Sequence, residues 1–185
     1  HPDRVSLLAL RFQAGRCSIG RYLFSFLNSL IYSTYIKERF FRQVIKLNPG
    51  HREALAHLGA LYYKRRRLGE AERCFVRALE IEPDDSSALF HLGLVFEESR
   101  KFKKALSCYV QALESEPGLP EAHYQLAGVA ETLGDIQEAI HHWEAYLQFD
   151  RISLHGRIAH KRIQLLRAEL QGREDRTTRG DRNST

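Results

Sequence analysis

Residues of matching kind recur along this chain at a spacing of 34. Leu55, Leu58, Gly59, Tyr62, Ala71, Phe75, Ala78 and Pro83 are answered by Leu89, Leu92, Gly93, Phe96, Ala105, Tyr109, Ala112 and Pro117. A third copy is looser, with His123, Leu126, Ala127, Ala130, Ala139, Trp143, Tyr146 and Arg151 at the corresponding places. Self-similarity at a fixed period of this size means one supersecondary unit repeated along a stack, each copy burying its apolar face against its neighbours. Few folds are compatible with that pattern.

The large–small–aromatic order at this period resembles the tetratricopeptide repeat over residues 52–151. The resemblance implies an all-α, right-handed α-solenoid of antiparallel helix pairs. It places the pairs at 52–65 with 69–81, 86–99 with 103–115, and 120–132 with 136–149. In the third copy His123 replaces a large apolar residue, Ala127 the glycine and Arg151 the closing proline, as befits a late or terminal unit.

Local chemistry supports these boundaries. Pro83 and Pro117 close their units, because proline cannot continue a helix and biases the residue before it away from α. Asp84, Asp85, Ser86 and Ser87 supply capping oxygens for the following helix. Gly69 and Gly134 are assigned to the tight turns inside their pairs. Phe75 and Tyr109 are the large residues that each repeat inserts between helices, the Tyr109 hydroxyl being expected to reach solvent.

The chain divides accordingly. Residues 1–34 form an apolar N-terminal segment in which Ile19, Leu23, Phe26, Leu27, Leu30 and Ile31 recur at helical spacing. A half repeat follows at 35–51, with Phe41, Val44 and Pro49 lying 34 residues before Phe75, Ala78 and Pro83. Repeats then occupy 52–85, 86–119 and 120–152, and residues 153–170 suit a capping helix with one wet face. Nothing apolar remains in 171–185, which is expected to be disordered. Residues 18–36 are too short and too rich in Ser and Asn for a clear transmembrane helix, which needs about 20 mostly apolar residues. They stay open between a degenerate first helix, self-insertion or partner contact, membrane contact and an error in the sequence.

At 185 residues with 43% hydrophobic content, the chain is one domain able to bury a core. It contains no Met, so a fragment, a processed product or a sequence without its true beginning is expected, and its oligomeric state stays open. Cys74 and Cys108 occupy the same place in successive repeats. Stacking sets them roughly 9–10 Å apart, too far for a disulfide. Reduced thiols point to the cytoplasm, with peripheral membrane association left open.

No catalytic constellation is visible, and no metal, cofactor or enzymatic activity is expected. His57 and His91 are again 34 apart, so the period explains them without a ligand set. His141 and His142 point to different faces, and His155 and His160 are poorly spaced for one metal. Arg179–Gly180–Asp181 and Asn183–Ser184–Thr185 imitate adhesion and glycosylation motifs, but in a biased tail where short matches arise by chance. The net charge of +5 invites an acidic partner. Lys64, Arg65, Arg66 and Arg67 fill one intra-repeat turn, and Arg100, Lys101, Lys103 and Lys104 the next, so stacking is expected to align them as a basic ridge. The ridge reads as a solvated edge, or as a surface for anionic lipid or an acidic protein. Nucleic acid is disfavoured because only Phe102 offers an interleaved stacking ring.

In tetratricopeptide repeats the first helix of each pair lines the concave face, where ligands lie. On that geometry the inward positions are Ala56, Ala60 and Tyr63, then Phe90, Leu94 and Glu97, then Tyr124, Gly128 and Glu131. The family's mode of gripping a C-terminal carboxylate with lysines, an arginine and asparagines has no counterpart among them. What remains is an apolar floor, with Glu97 and Glu131 expected to favour a basic residue of the ligand. The reading is a non-enzymatic scaffold or adaptor holding another protein's amphipathic helix or extended apolar segment, unless the chain's own N-terminal segment fills the groove. One alternative is a subunit or assembly factor of a membrane-associated complex, docking through 18–36 and the ridge on a membrane surface or membrane protein. Another is a regulatory module of a larger enzyme.

Overall fold

A computed structural model of the protein describes residues 34–182, with side chains described for 36–173. The apolar segment 18–33 lies outside the described residues, so the readings made for it stay as expectations. Eight helices follow in the described residues: α1 (Thr34–Leu47), α2 (Arg52–Lys64), α3 (Leu68–Ile81), α4 (Ser86–Glu98), α5 (Phe102–Ser115), α6 (Pro120–Leu133), α7 (Ile136–Tyr146) and α8 (Leu154–Arg182). Each packs chiefly on its neighbours in sequence, so the chain is a one-dimensional stack, an all-α right-handed solenoid.

Helix ends follow from caps. Asp85 accepts from the Ala88 N–H at 3.0 Å to start α4, and Asp135 from the Glu138 N–H at 3.2 Å to start α7. His51 does the same for α2 through Nδ1, and Pro120 opens α6 at a position where a backbone donor has no helical partner. The turn geometry corrects one expectation: Gly69 lies inside α3, not in the turn. The left-handed residue of each turn is instead Arg66 (φ 59°), Arg100 (φ 58°) and Gly134 (φ 84°), equivalent by the period. Only the third repeat fills it with the residue that adopts this backbone freely.

The tail differs from expectation as well. Helix α8 continues to Arg182, past Leu170 where the apolar pattern ends. Gln171–Arg182 contains no proline and several good helix formers, and Glu169 pairs with Arg173 at 2.8 Å one turn on.

Two apolar clusters hold the stack. One joins Leu55, Tyr62, Phe75, Leu92, Phe96 and Tyr109 to Leu126 and Val129. The other gathers Ala127, Ile140, Trp143 and Tyr146 with Ala159, Ile163 and Leu166 of α8. Gly59 and Gly93 are small for a steric reason. A Cβ on Gly59 would stand 2.9 Å from the Phe75 ring, and one on Gly93 closer still to Tyr109. Tyr109 itself is fully buried and its hydroxyl donates to Glu97 Oε2 at 2.8 Å, so it does not reach solvent as expected. Cys74 and Cys108 are free, buried thiols whose pKa burial pushes up to about 11.

Candidate functional site

All nine positions assigned to the groove are half-buried: Ala56, Ala60, Tyr63, Phe90, Leu94, Glu97, Tyr124, Gly128 and Glu131. Three clefts bring seven of them together. A cleft of about 280 Å³ is lined by Tyr63, Leu94 and Glu97, with Arg100, Phe102 and Gln125. One of about 380 Å³ holds Tyr124, Gly128 and Glu131 against Trp143, Ile158 and Arg162. A third, about 510 Å³, runs from Phe90 and Tyr124 to Tyr146, Phe149 and His155. Ala56 and Ala60 fall outside all three, whereas Gln125 lines every one.

Gln125 escaped the sequence reading because its period mates are histidines. His57 stacks on Phe41 at 5.1 Å and His91 on Phe75 at 5.5 Å, so the position reads as packing in the first two repeats. Ile158 and Arg162 were missed for another reason. They lie on α8, which has no counterpart in the period, yet α8 closes one end of the groove.

The carboxylates do not play the part expected of them. Glu131 accepts from Trp143 Nε1 at 2.6 Å and from Arg162 Nε at 3.1 Å, with a second Arg162 nitrogen closer still. The basic partner foreseen in a ligand is therefore supplied by the chain's own capping helix. Glu97 receives the Tyr109 hydroxyl, and burial raises its pKa against the opposing effect of that hydrogen bond. It is an internal acceptor rather than a rim charge.

The basic ridge is likewise largely spent inside the fold. Arg65 and Arg67 both reach Glu38 of α1, which is only 5% exposed and also pairs with Arg42 at 2.9 Å. Arg67 further grips Glu70 (Nε at 3.0 Å), raising the arginine pKa and lowering that of the glutamate, and lies over the Tyr62 ring at 4.6 Å. Arg66 pairs with Glu98, and Lys101 with Glu72 at 3.2 Å. Glu38–Arg67 and Glu72–Lys101 are one brace repeated 34 residues on, from the second helix of one unit to the turn of the next. A carboxylate 29 residues before a basic residue was the available signal. The third repeat ends it, with Leu106 and Asp135 at those places. Among the described residues, Lys64, Arg100, Lys103 and Lys104 have no carboxylate partner, and Lys104 sits over the Phe96 ring at 5.5 Å.

No group of three His, Cys, Asp or Glu side chains converges to hold a metal among the described residues, nor is any described helix long and apolar enough to cross a membrane. Two tetratricopeptide repeat family models match the chain, one over residues 53–85 and one over 92–151. No curated protein matches it by sequence. Among solved structures, a crystal structure of MamA superposes with a TM-score of 0.61 at 18% identity, covering 76% of this chain and 89% of MamA. A second crystal structure of the MamA protein gives 0.61 at 20% identity over 72% and 75% of the two chains. The first tetratricopeptide domain of Spaghetti (RPAP3), bound to the HSP90 peptide SRMEEVD, gives 0.60 at 18% identity, over 65% of this chain and 93% of that one. With the repeat matched in sequence and the helix pairs stacked as that repeat requires, this chain belongs to the tetratricopeptide repeat family.

Proposed function

We propose that this protein is a non-enzymatic interaction module that holds a segment of another protein along the groove lined by α2, α4 and α6 and closed by α8. The observation that carries the reading is the run of three adjoining clefts joined through Gln125, with Tyr63, Leu94, Phe90 and Tyr124 offering half-buried apolar surface and Ile158 standing exposed beside them. Contiguous apolar surface left open on a folded chain marks a place where another molecule is bound. An amphipathic helix or an extended apolar segment suits a groove of this kind. Three solved structures of the same fold come from MamA and the RPAP3 domain, the latter with a peptide bound.

The test is affinity capture from the native source with quantitative mass spectrometry, comparing the parent chain with two variants. Leu94→Glu places a carboxylate in the middle of the groove and is expected to weaken partner binding by about 2 kcal/mol or more, as for a central apolar anchor. Lys64→Glu with Lys103→Glu reverses two ridge charges that have no internal carboxylate partner and is expected to leave that binding intact. Circular dichroism melts check that both variants stay folded. Partners lost with the ridge variant and kept with Leu94→Glu would move the binding surface to the turn edge. Flotation of the parent chain with anionic vesicles, abolished by the ridge variant, would favour the membrane-associated alternative.

A further inference from the structure

The largest of the three clefts is the one with neither lysine nor arginine in its lining. Phe90 of α4, Tyr124 of α6, Tyr146 of α7, Phe149 from the link into α8 and His155 of α8 line about 510 Å³ with aromatic rings. Tyr124 is at the centre, edge-on to Tyr146 at 5.1 Å and to His155 at 5.2 Å, so its ring is fixed from two sides. Phe149 is 53% exposed and stacks on the His123 ring at 6.4 Å.

Two carboxylates share this wall. Asp150 accepts from the Ser153 and Ile152 N–H groups at 3.0 and 3.2 Å, from the Tyr146 hydroxyl at 2.9 Å and from the Ser153 hydroxyl. Those bonds, the ones from Ser153 first, draw its pKa down to about 2, so it stays a carboxylate throughout the physiological range. Glu121, in the first turn of α6, is exposed and has no hydrogen-bond or ionic partner among the described residues. The nearest basic residue in sequence, Arg151, is engaged elsewhere, donating Nε to the Leu147 carbonyl at 3.0 Å and a terminal nitrogen to Gln148. Aromatic faces and fixed negative charge, with no cation supplied from within, are complementary to a cationic side chain. Of the two candidates, a guanidinium is flat, stacks on rings and is more weakly hydrated than an ammonium, so it enters such a cleft at lower desolvation cost.

We propose that this cleft is a subsite for an arginine side chain of the partner segment, stacked among Tyr124, Phe149 and Phe90 and facing Glu121 and Asp150. The proposal rests on the groove reading above, because the arginine is carried by the segment lying in that groove. It reassigns the acidic recognition expected of Glu97 and Glu131 to Glu121, with Asp150, whose oxygens are already taken by four hydrogen bonds from neutral donors, contributing charge rather than a direct bond.

The probe is acetyl-Gly-Arg-Gly-amide, titrated into 15N-labelled full chain and followed by NMR, with the citrulline peptide as its uncharged isostere. Arginine is expected to shift amides around Tyr124 and Phe149 and to bind at least about tenfold tighter than citrulline. Phe149→Ala and Glu121→Gln, both at exposed positions, should each weaken it about two- to fivefold, the range of an exposed cation–π or rim-charge contact. Citrulline binding within twofold of arginine, or both variants binding arginine like the parent, would overturn the subsite. Leu94→Glu separates the two readings. Loss of the protein partner in that variant with no arginine selectivity in the parent defeats the subsite alone. Arginine selectivity with partner binding unharmed by Leu94→Glu defeats the groove assignment alone.

Discussion

The first two repeats and the third reach the same helix pairing by different means. In the former, a glycine on the first helix lets an aromatic ring of the second press against bare backbone: Gly59 under Phe75 and Gly93 under Tyr109. The third has Ala127 in that place; its pair keeps the period-equivalent of the second repeat's Tyr109–Glu97 bond and adds a polar histidine junction. There Trp143 donates to Glu131, and His123 Nδ1 lies 3.0 Å from His142 Nδ1. His142 in turn reaches Glu138 at 3.1 Å, and His123 the Pro117 carbonyl at 3.3 Å. A middle repeat has matching apolar neighbours on both sides. The terminal one must meet α8, which is not a copy of anything, and the pairs Arg162–Glu131 and Arg167–Glu144 tie that junction. The lesson is that the ends of a repeat stack are built by departures from the repeat.

The comparison breaks first where truncation is harshest. Phe75→Ala and Tyr109→Ala are expected to cost about 3–5 kcal/mol each in urea unfolding, as for buried aromatics. Tyr109→Phe should cost about 1–2 kcal/mol, because it leaves the half-buried Glu97 carboxylate without its donor. A Phe75→Ala midpoint unchanged from the parent would show that the first repeats do not rely on that ring.

Glycine substitution sharpens the contrast at smaller scale. Gly93→Ala drives a methyl into Tyr109 and is expected to cost about 1–3 kcal/mol, the usual penalty for overpacking. Gly128→Ala, on the first helix of the third repeat, meets no atom within 4 Å and should be neutral or stabilising. Equal losses from the two would mean that glycine serves backbone freedom rather than close approach.

The histidine junction predicts a pH dependence confined to the third repeat. Burial lowers the pKa of both His123 and His142 below the ordinary value of 6.5. A depressed histidine pKa favours the neutral folded state, so stability is fully present above about pH 6.5 and declines as pH falls through that value towards the folded-state pKa. Hydrogen exchange at pH 7.5 and 5.0 should show α6–α8 losing protection ahead of α2–α5, and His142→Gln should flatten that difference. Uniform loss along the stack would place the acid-sensitive contact elsewhere.

The smallest effect concerns the turns. Arg100 holds a left-handed backbone that Gly134 adopts without cost, so Arg100→Gly is expected to raise stability by up to about 1 kcal/mol, and Gly134→Ala to lower it by a similar amount. Thermal melts of the pair check this. A destabilised Arg100→Gly would show that the arginine's contact with Phe102, 6.0 Å from guanidinium to ring centre, outweighs the backbone strain.

The 34-residue period, with the repeat it resembles, determined the helix pairs, a capping oxygen within 84–87 and the burial of Leu55, Phe75 and Tyr109. It could do so because each of these depends on a residue's place within its own repeat, and that place recurs. Which carboxylate was free and which was spent was settled only by tertiary structure. Glu131 looks available until Arg162 arrives from α8, and the ridge looks basic until Glu38 arrives from α1. Ion pairing is decided by whichever charged side chain comes within a few ångströms. At both ends of the described stack, that side chain belongs to a helix outside the three repeats.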